Sequence, residues 1–251
     1  MSDFRRMFGV AESAAREAGQ LIRSQCGSDV VVNESHHHDL KIQLDVETQQ
    51  LLEKRILEAF PNHAILGEEG GSGSGGSGAE WILDPIDGTV NLAYGLPHFC
   101  VSIAFRQEGV TQVGVVYDPM RDECFSATKG GGAMCNGRAI RASRRERLDE
   151  GILALGFSKS AESVEKCLEL YQFYGRRARK LRAMGSAALD MAYIAAGRMD
   201  AYIEQGIKIW DIAAGQLLLE EAGGRVVLTP RDEPHHYHIK AWNGVMDLPM
   251  T

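Results

Sequence analysis

The stretch "LGEEGGSGSGGSGAEWILDPIDGTVN", residues 66–91, carries two competing signals. Between Gly71 and Gly78 the glycines match G-x-G-x-x-G twice, the spacing of a dinucleotide-binding turn. Around that run stand Glu68, Glu69, Asp84 and Asp87. A nucleotide site needs a helix opening in the glycines, so that its N-terminus meets the pyrophosphate. Here "AEWILDP" follows, which reads as a strand. A Gly/Ser tract of this length produces the spacing almost inevitably. The 71–78 run therefore reads as a flexible tether that tolerates substitution.

The acids are the stronger signal. Asp84 and Asp87 stand three apart across "DPIDG". Pro85 fixes one φ angle and Gly88 permits a sharp turn, so both carboxylates and the Ile86 carbonyl can face one point. Such a set of hard oxygens suits Mg²⁺. Asp-Pro and Asp-Gly are also ordinary turn formers, so the neighbouring sequence has to decide.

Working outward, apolar residues recur at three and four from Phe4 to Ile22, which predicts an amphipathic helix over 3–25. Leu44, Thr48, Leu51, Leu52, Ile56 and Phe60 predict a second over 43–60, stopped by Pro61. "AILGEE" and "EWILD" read as buried strands ending in acids. Residues 99–128 read as antiparallel strands broken at Gly109 and "DPMRDE", and "KGGGAMCNG" as a turn and short strand. After about residue 140 the texture alternates: strand, helix 161–175, helix 185–196, strand "MDAYIE", helix 211–222, then strands "GRVVL" and "IKAWNG". The chain divides into an α+β part, 1–140, and an α/β part, 141–251.

The net charge of −7 argues against a general nucleic-acid binder. Five cysteines without a C-x-x-C argue against a disulfide framework and for a reducing cytoplasm. No apolar run suits a signal peptide or a membrane span.

"DPIDGTVN" resembles the first signature of the inositol monophosphatase family, the Mg²⁺-dependent, lithium-sensitive phosphatases. "IWDIAAGQLLLEEAGG", residues 209–224, resembles its second. "GEE" at 67–69, "DLKIQLD" at 39–45 and "MGSAALDMAYIAAGRMDAYIEQG" at 184–206 follow the family's order. The resemblance implies a layered αβαβα sandwich, the sugar-phosphatase fold, with the site between the two parts. It implies two to three Mg²⁺ ions held by Glu68, Asp84, the Ile86 carbonyl, Asp87 and Asp211. It places phosphate on Gly88 and Thr89, and a water oriented by Thr89 and Asp45. Asp45, Glu68 and Thr89 are thus the implied catalytic residues. Gly185, Ser186, Ala187, Glu204 and Lys208 match the substrate side. Asp211 also stands where a helix should begin, so an ordinary N-cap is its plain reading.

The implied reaction is hydrolysis of a small polyol or sugar phosphate monoester, inositol-1-phosphate first, by a homodimer. Fructose-1,6-bisphosphatase, histidinol-phosphatase and nucleotide (PAP or NADP) phosphatase are alternatives within the family. A regulatory RNA- or protein-binding member is the alternative of another class. Pocket residues 157–160, Ser158 among them, with Glu204 and Lys208, would decide among the phosphatase alternatives. His36, His37 and His38 are consecutive and cannot easily converge, so they read as a solvated loop. Family members often carry a lysine near there; this chain has Glu34 and the histidines instead, with Lys41 after Asp39. The basic runs 141–147 and 175–182 read as a solvated strand edge or helix face.

Overall fold

The computed structural model describes residues 2–26, 32–36, 39–73, 78–156 and 161–249. The chain opens with helix α1 (Ser2–Gln25). The hairpin of β1 (Val32–His36) and β2 (Asp39–Ile42) follows. Then come α2 (Gln43–Ala59), β3 (Ala64–Gly67), β4 (Gly70–Ser72), β5 (Ala79–Asp87) and α3 (Thr89–Ala93). A meander continues through β6 (Cys100–Gln107), β7 (Val110–Asp118), β8 (Glu123–Thr128), β9 (Gly132–Cys135) and β10 (Arg138–Ala139). The remainder is β11 (Ile152–Leu155), α4 (Ala161–Gly175), β12 (Lys180–Arg182), α5 (Ala187–Ala195) and β13 (Ala201–Lys208). Helix α6 (Ile209–Glu221) and the pair β14 (Arg225–Pro230) and β15 (His236–Trp242) complete it.

Two sheets organise these elements. The first runs β10-β9-β8-β7-β6-β5-β3-β4, antiparallel except for the parallel β3–β5 pair. The second runs β12-β11-β13-β15-β14 and is mixed. Period-two alternation sorts the side chains into layers. Along β5, Trp81 and Leu83 enter the core under α1 and α2, while Ile82 enters the core around α5 and α6. Along β11, Leu153 and Leu155 face α4, while Ala154 faces α5 and α6. Helices α5 and α6 therefore lie between the sheets, and the order of layers is αβαβα. Burial on both sides explains why α5 and α6 are apolar nearly all round. Gly114 lets α6 come close to β7: a Cβ there would lie 2.8 Å from the Ala214 carbonyl oxygen.

The structure corrects three expectations. His36, read with His37 and His38 as part of a solvated loop, ends strand β1, which pairs with β2; His37 and His38 lie outside the described residues. Helix α6 starts at Ile209, so Asp211 is its third residue and not its cap. The glycine run is not a free tether throughout, because Gly71 and Ser72 pair with Leu66 and Ile65 as the edge strand β4. Residues 74–77 lie outside the described residues. Glycine is required at the strand end: Gly73 has φ +88°, and a Cβ there would overlap the His63 carbonyl oxygen. Gly73→Ala is expected to cost about 1–3 kcal/mol, read as a lower urea midpoint, because it meets both the backbone penalty and the overlap. An unchanged midpoint would restore the tether reading.

Candidate active site

Strand β5 delivers two carboxylates to one face by an irregularity. Asp84 pairs with Ser102 and Asp87 with Cys100, so β5 advances three residues where β6 advances two. Strict alternation would turn Asp87 away from Asp84; the extra residue turns it back. Ile86 instead enters the α1–α2 core. "DPID" is thus the bulged end of a strand, not the free-standing turn its composition suggests. The break comes at Gly88, φ +101°, where a Cβ would stand 3.0 Å from the His98 carbonyl oxygen.

Each carboxylate is fixed by the element it meets. The Ile86 N–H donates to Asp84 Oδ1 at 3.1 Å. Asp87 Oδ2 accepts from the Ser186 hydroxyl at 2.8 Å and the Ala188 N–H at 2.7 Å, at the start of α5. Its Oδ1 accepts from the Ala187 N–H at 3.2 Å. Ser186 and Ala187, read from the sequence as substrate contacts, are turned to this carboxylate. Asp211 Oδ2 accepts from the Lys208 N–H at 2.9 Å, so the reach back to the helix start is kept by a residue inside the helix. Asp45 does the same on α2, accepting from the Ile42 N–H at 3.0 Å. The other oxygen of Asp45 lies 3.3 Å from Thr89 Oγ1, which is also 3.0 Å from the Ile86 carbonyl oxygen.

Asp84, Asp87 and Asp211 each bring one oxygen to within 4.8 Å of the others. Burial is the main cause that raises all three carboxyls, Asp211 to about 7 and Asp84 well above its ordinary value. Neighbouring carboxylates add to the rise at Asp84 and Asp211, while hydrogen bonds from Ser186, Ala188 and Ala187 pull Asp87 back. Glu68 follows β3 and donates its N–H to the Leu83 carbonyl at 3.2 Å. It stands beside this cluster, and burial followed by Asp211, Asp45 and Glu69 raises it to about 8. Acids that resist ionising together, all offering hard oxygens, fit a divalent cation of the Mg²⁺ type.

On the other flank, Glu204 is half-buried on β13 and accepts a hydrogen bond from the Tyr202 hydroxyl. Burial pushes its carboxyl up to about 8. Lys208 Nζ lies 4.8 Å over the Trp210 ring, and its charge pulls against the rise at Glu68. Residues 157–160, Ser158 among them, lie outside the described residues.

Over residues 3–246 the sequence matches the inositol monophosphatase family. The chain belongs to that family. It is 43% identical over 228 residues to the Nus factor SuhB of Pseudomonas aeruginosa, covering 88% of this chain and 84% of that one. The extragenic suppressor protein suhB from Bartonella henselae superposes with a TM-score of 0.89 at 34% identity, over 96% of this chain and 95% of that one. The inositol monophosphatase from Anabaena superposes with a TM-score of 0.85 at 35% identity, over 97% and 92%.

In this member of the inositol monophosphatase family, several supporting residues escaped sequence reasoning. Asn91 lies inside "DPIDGTVN" yet had no role; its Nδ2 donates to the His98 and Met184 carbonyls at 2.7 and 2.8 Å, fixing the approach to Gly185. Buried His98 and Asp190 pair at 3.1 Å and tie that segment to α5. Gln49, whose amide oxygen accepts from the Glu69 N–H at 2.9 Å, and Tyr202 read in the sequence as ordinary helix and strand residues. Only the company of their partners gives them meaning, and no spacing in the sequence announces those partners.

Proposed function

We propose that this chain hydrolyses a small polyol or sugar phosphate monoester in the presence of Mg²⁺, with inositol-1-phosphate as the first candidate substrate. The observation that carries the reading is the convergence of Asp84, Asp87 and Asp211 within 4.8 Å, beside the Asp45–Thr89 contact. Asp84, Asp87 and Asp211 would hold the cation, with Glu68 adjacent. When bound, Mg²⁺ supplies Lewis acidity and lowers the pKa of a coordinated water.

The chain's own residues orient the attack. Thr89 Oγ1 has one proton and two acceptors, Asp45 Oδ1 and the Ile86 carbonyl. With its proton directed inward, its lone pairs accept from an incoming water. That water then lies one hydroxyl away from Asp45, which can take its proton as the new phosphorus–oxygen bond forms and the ester phosphorus–oxygen bond breaks, the departing alkoxide taking a proton from solvent. Gly88 and Thr89 would receive the phosphate. Glu204, lifted toward the neutral acid, offers hydrogen bonds to hydroxyls of the leaving polyol. Lys208 adds the positive charge on that flank.

The test is phosphate release from inositol-1-phosphate, fructose-1,6-bisphosphate, histidinol phosphate, adenosine bisphosphate and NADP, each with Mg²⁺ and with excess chelator. Chelator-sensitive release, greatest for inositol-1-phosphate, is expected. No release from any compound would sink the reading.

A second reading draws on the name Nus factor carried by the Pseudomonas aeruginosa relative. It makes this chain a regulatory member that binds a macromolecule through the exposed cations Arg176, Arg177, Lys180 and Arg182 along the β12 edge. Salt-sensitive RNA binding without phosphate release in the same screen would favour it.

A further inference from the structure

Helix α2 supports more of the site than Asp45. One turn further on, Gln49 is only 4% exposed, and both ends of its amide are hydrogen-bonded. Its Oε1 accepts from the Glu69 N–H at 2.9 Å. Its Nε2 donates to the Gly70 carbonyl at 3.1 Å and to Glu53 Oε1 at 2.8 Å. The second Glu53 oxygen accepts from the Ser72 hydroxyl at 2.8 Å. Asp45, Gln49 and Glu53 are spaced by four, so they stack along one face of α2. The first meets Thr89, the second the main chain beside Glu68, and the third the edge strand β4.

The fit at the middle position is close. A Cβ on Gly67 would lie 2.5–2.7 Å from the Gln49 amide atoms, so the glycine of "GEE" is the residue that admits this amide. The amide also suits the electrostatics. It engages both a donor and an acceptor of the turn, and it does so without adding a further charge beside the acid cluster. A carboxylate could not donate to the Gly70 carbonyl.

We infer that Gln49, oriented by Glu53, is a positioning residue that holds the Glu68 turn at a fixed distance from Asp45 and so sets the affinity of the site for its divalent cation. This rests on the reading of the acid cluster as a Mg²⁺ site. Because α2 carries both Asp45 and Gln49, the water-orienting acid and the Glu68 turn are referred to one rigid rod.

The test is Mg²⁺ binding to the full chain by calorimetry, with activity followed against Mg²⁺ concentration. Gln49→Met keeps the shape and removes the hydrogen bonds. It is expected to weaken Mg²⁺ binding about 10-fold or more, as loss of supporting contacts does at metal sites. The Mg²⁺ concentration for half activity should rise in parallel, while KM for the phosphate ester at saturating Mg²⁺ stays within about two-fold. Glu53→Ala should shift the isotherm in the same direction by less, and it decides the matter should Gln49→Met not fold. Wild-type binding with an unshifted Gln49→Met isotherm would overturn this inference alone. A lower urea midpoint and kcat at unchanged Mg²⁺ affinity would also overturn it, since that is what a merely structural residue does. A wild-type chain that binds no Mg²⁺ would overturn the metal reading and this inference with it.

Discussion

Asp84→Asn is expected to lower Mg²⁺-dependent phosphate release by more than about 100-fold, a loss beyond that of a supporting residue. The same change should raise the thermal stability of the metal-free protein. Both effects have one cause. Asp84 is 1% exposed and shares its surroundings with Asp87, Asp211 and Glu68. Asparagine keeps the oxygen that accepts from the Ile86 N–H, so the bulge that places Asp87 is retained. It brings a permanent N–H₂ group where the aspartic acid must hold a proton against its neighbours. Removing an acid that the metal-free fold must keep protonated relieves that fold, and removing a hard oxygen that can become anionic weakens the cation site. Melting in chelator and in Mg²⁺ separates the two. Wild type should gain stability from Mg²⁺ by mass action, and the variant should gain little. Near-normal turnover, or a variant that melts below wild type in chelator, would count against the cluster as a metal site.

How much of this was readable beforehand differs residue by residue. The helix periods at 3–25 and 43–60 come from one-sided burial, which is local, and the helices form at 2–25 and 43–59. The acids were recognisable because motif order survives in one dimension. Their shared face was not derivable from "DPID" alone, since it depends on β6 pairing two residues against three. The 71–78 run misled for a related reason: glycine composition reports freedom of the unfolded chain, and β3 next to it decides whether that freedom is used. The hairpin at 32–42 was missed because its strands are short and polar, with pairing in place of apolar alternation. Gln49 could be read only as a helix residue, because its partners Glu69, Gly70 and Glu53 are set by tertiary contact.

The second large effect is a reversed dependence of stability on pH. In the metal-free protein Asp84 and Asp87 sit above their ordinary range, Asp211 near 7, and Glu68 and Glu204 near 8, with burial the leading cause for each. Unfolded, these groups titrate near pH 4. Between about pH 4 and 8 the native state therefore binds more protons than the unfolded state, and stability must fall as pH rises through that window. Groups with depressed pKa work the other way: Glu17, Glu123 and Asp149, held down by hydrogen bonds from Arg55, Arg198 and Arg147, contribute stability above their unfolded pKa and lose it in acid. Their window lies below about pH 4.5, so the two sets act in different ranges. Calorimetric melting in chelator should show the midpoint declining from about pH 5 to pH 8 by several degrees, the size that a kcal/mol or two produces in a chain of this length. Saturating Mg²⁺ should shrink the decline to the share that Glu204 contributes, and its stabilising effect should grow with pH, because the cation displaces protons that the acids hold more weakly as pH rises. A midpoint that rises across pH 5–8 in chelator would mean that the acids are ionised and paired without a cation. In that case the cluster would be a structural ion network, and the phosphatase reading would lose its main physical support.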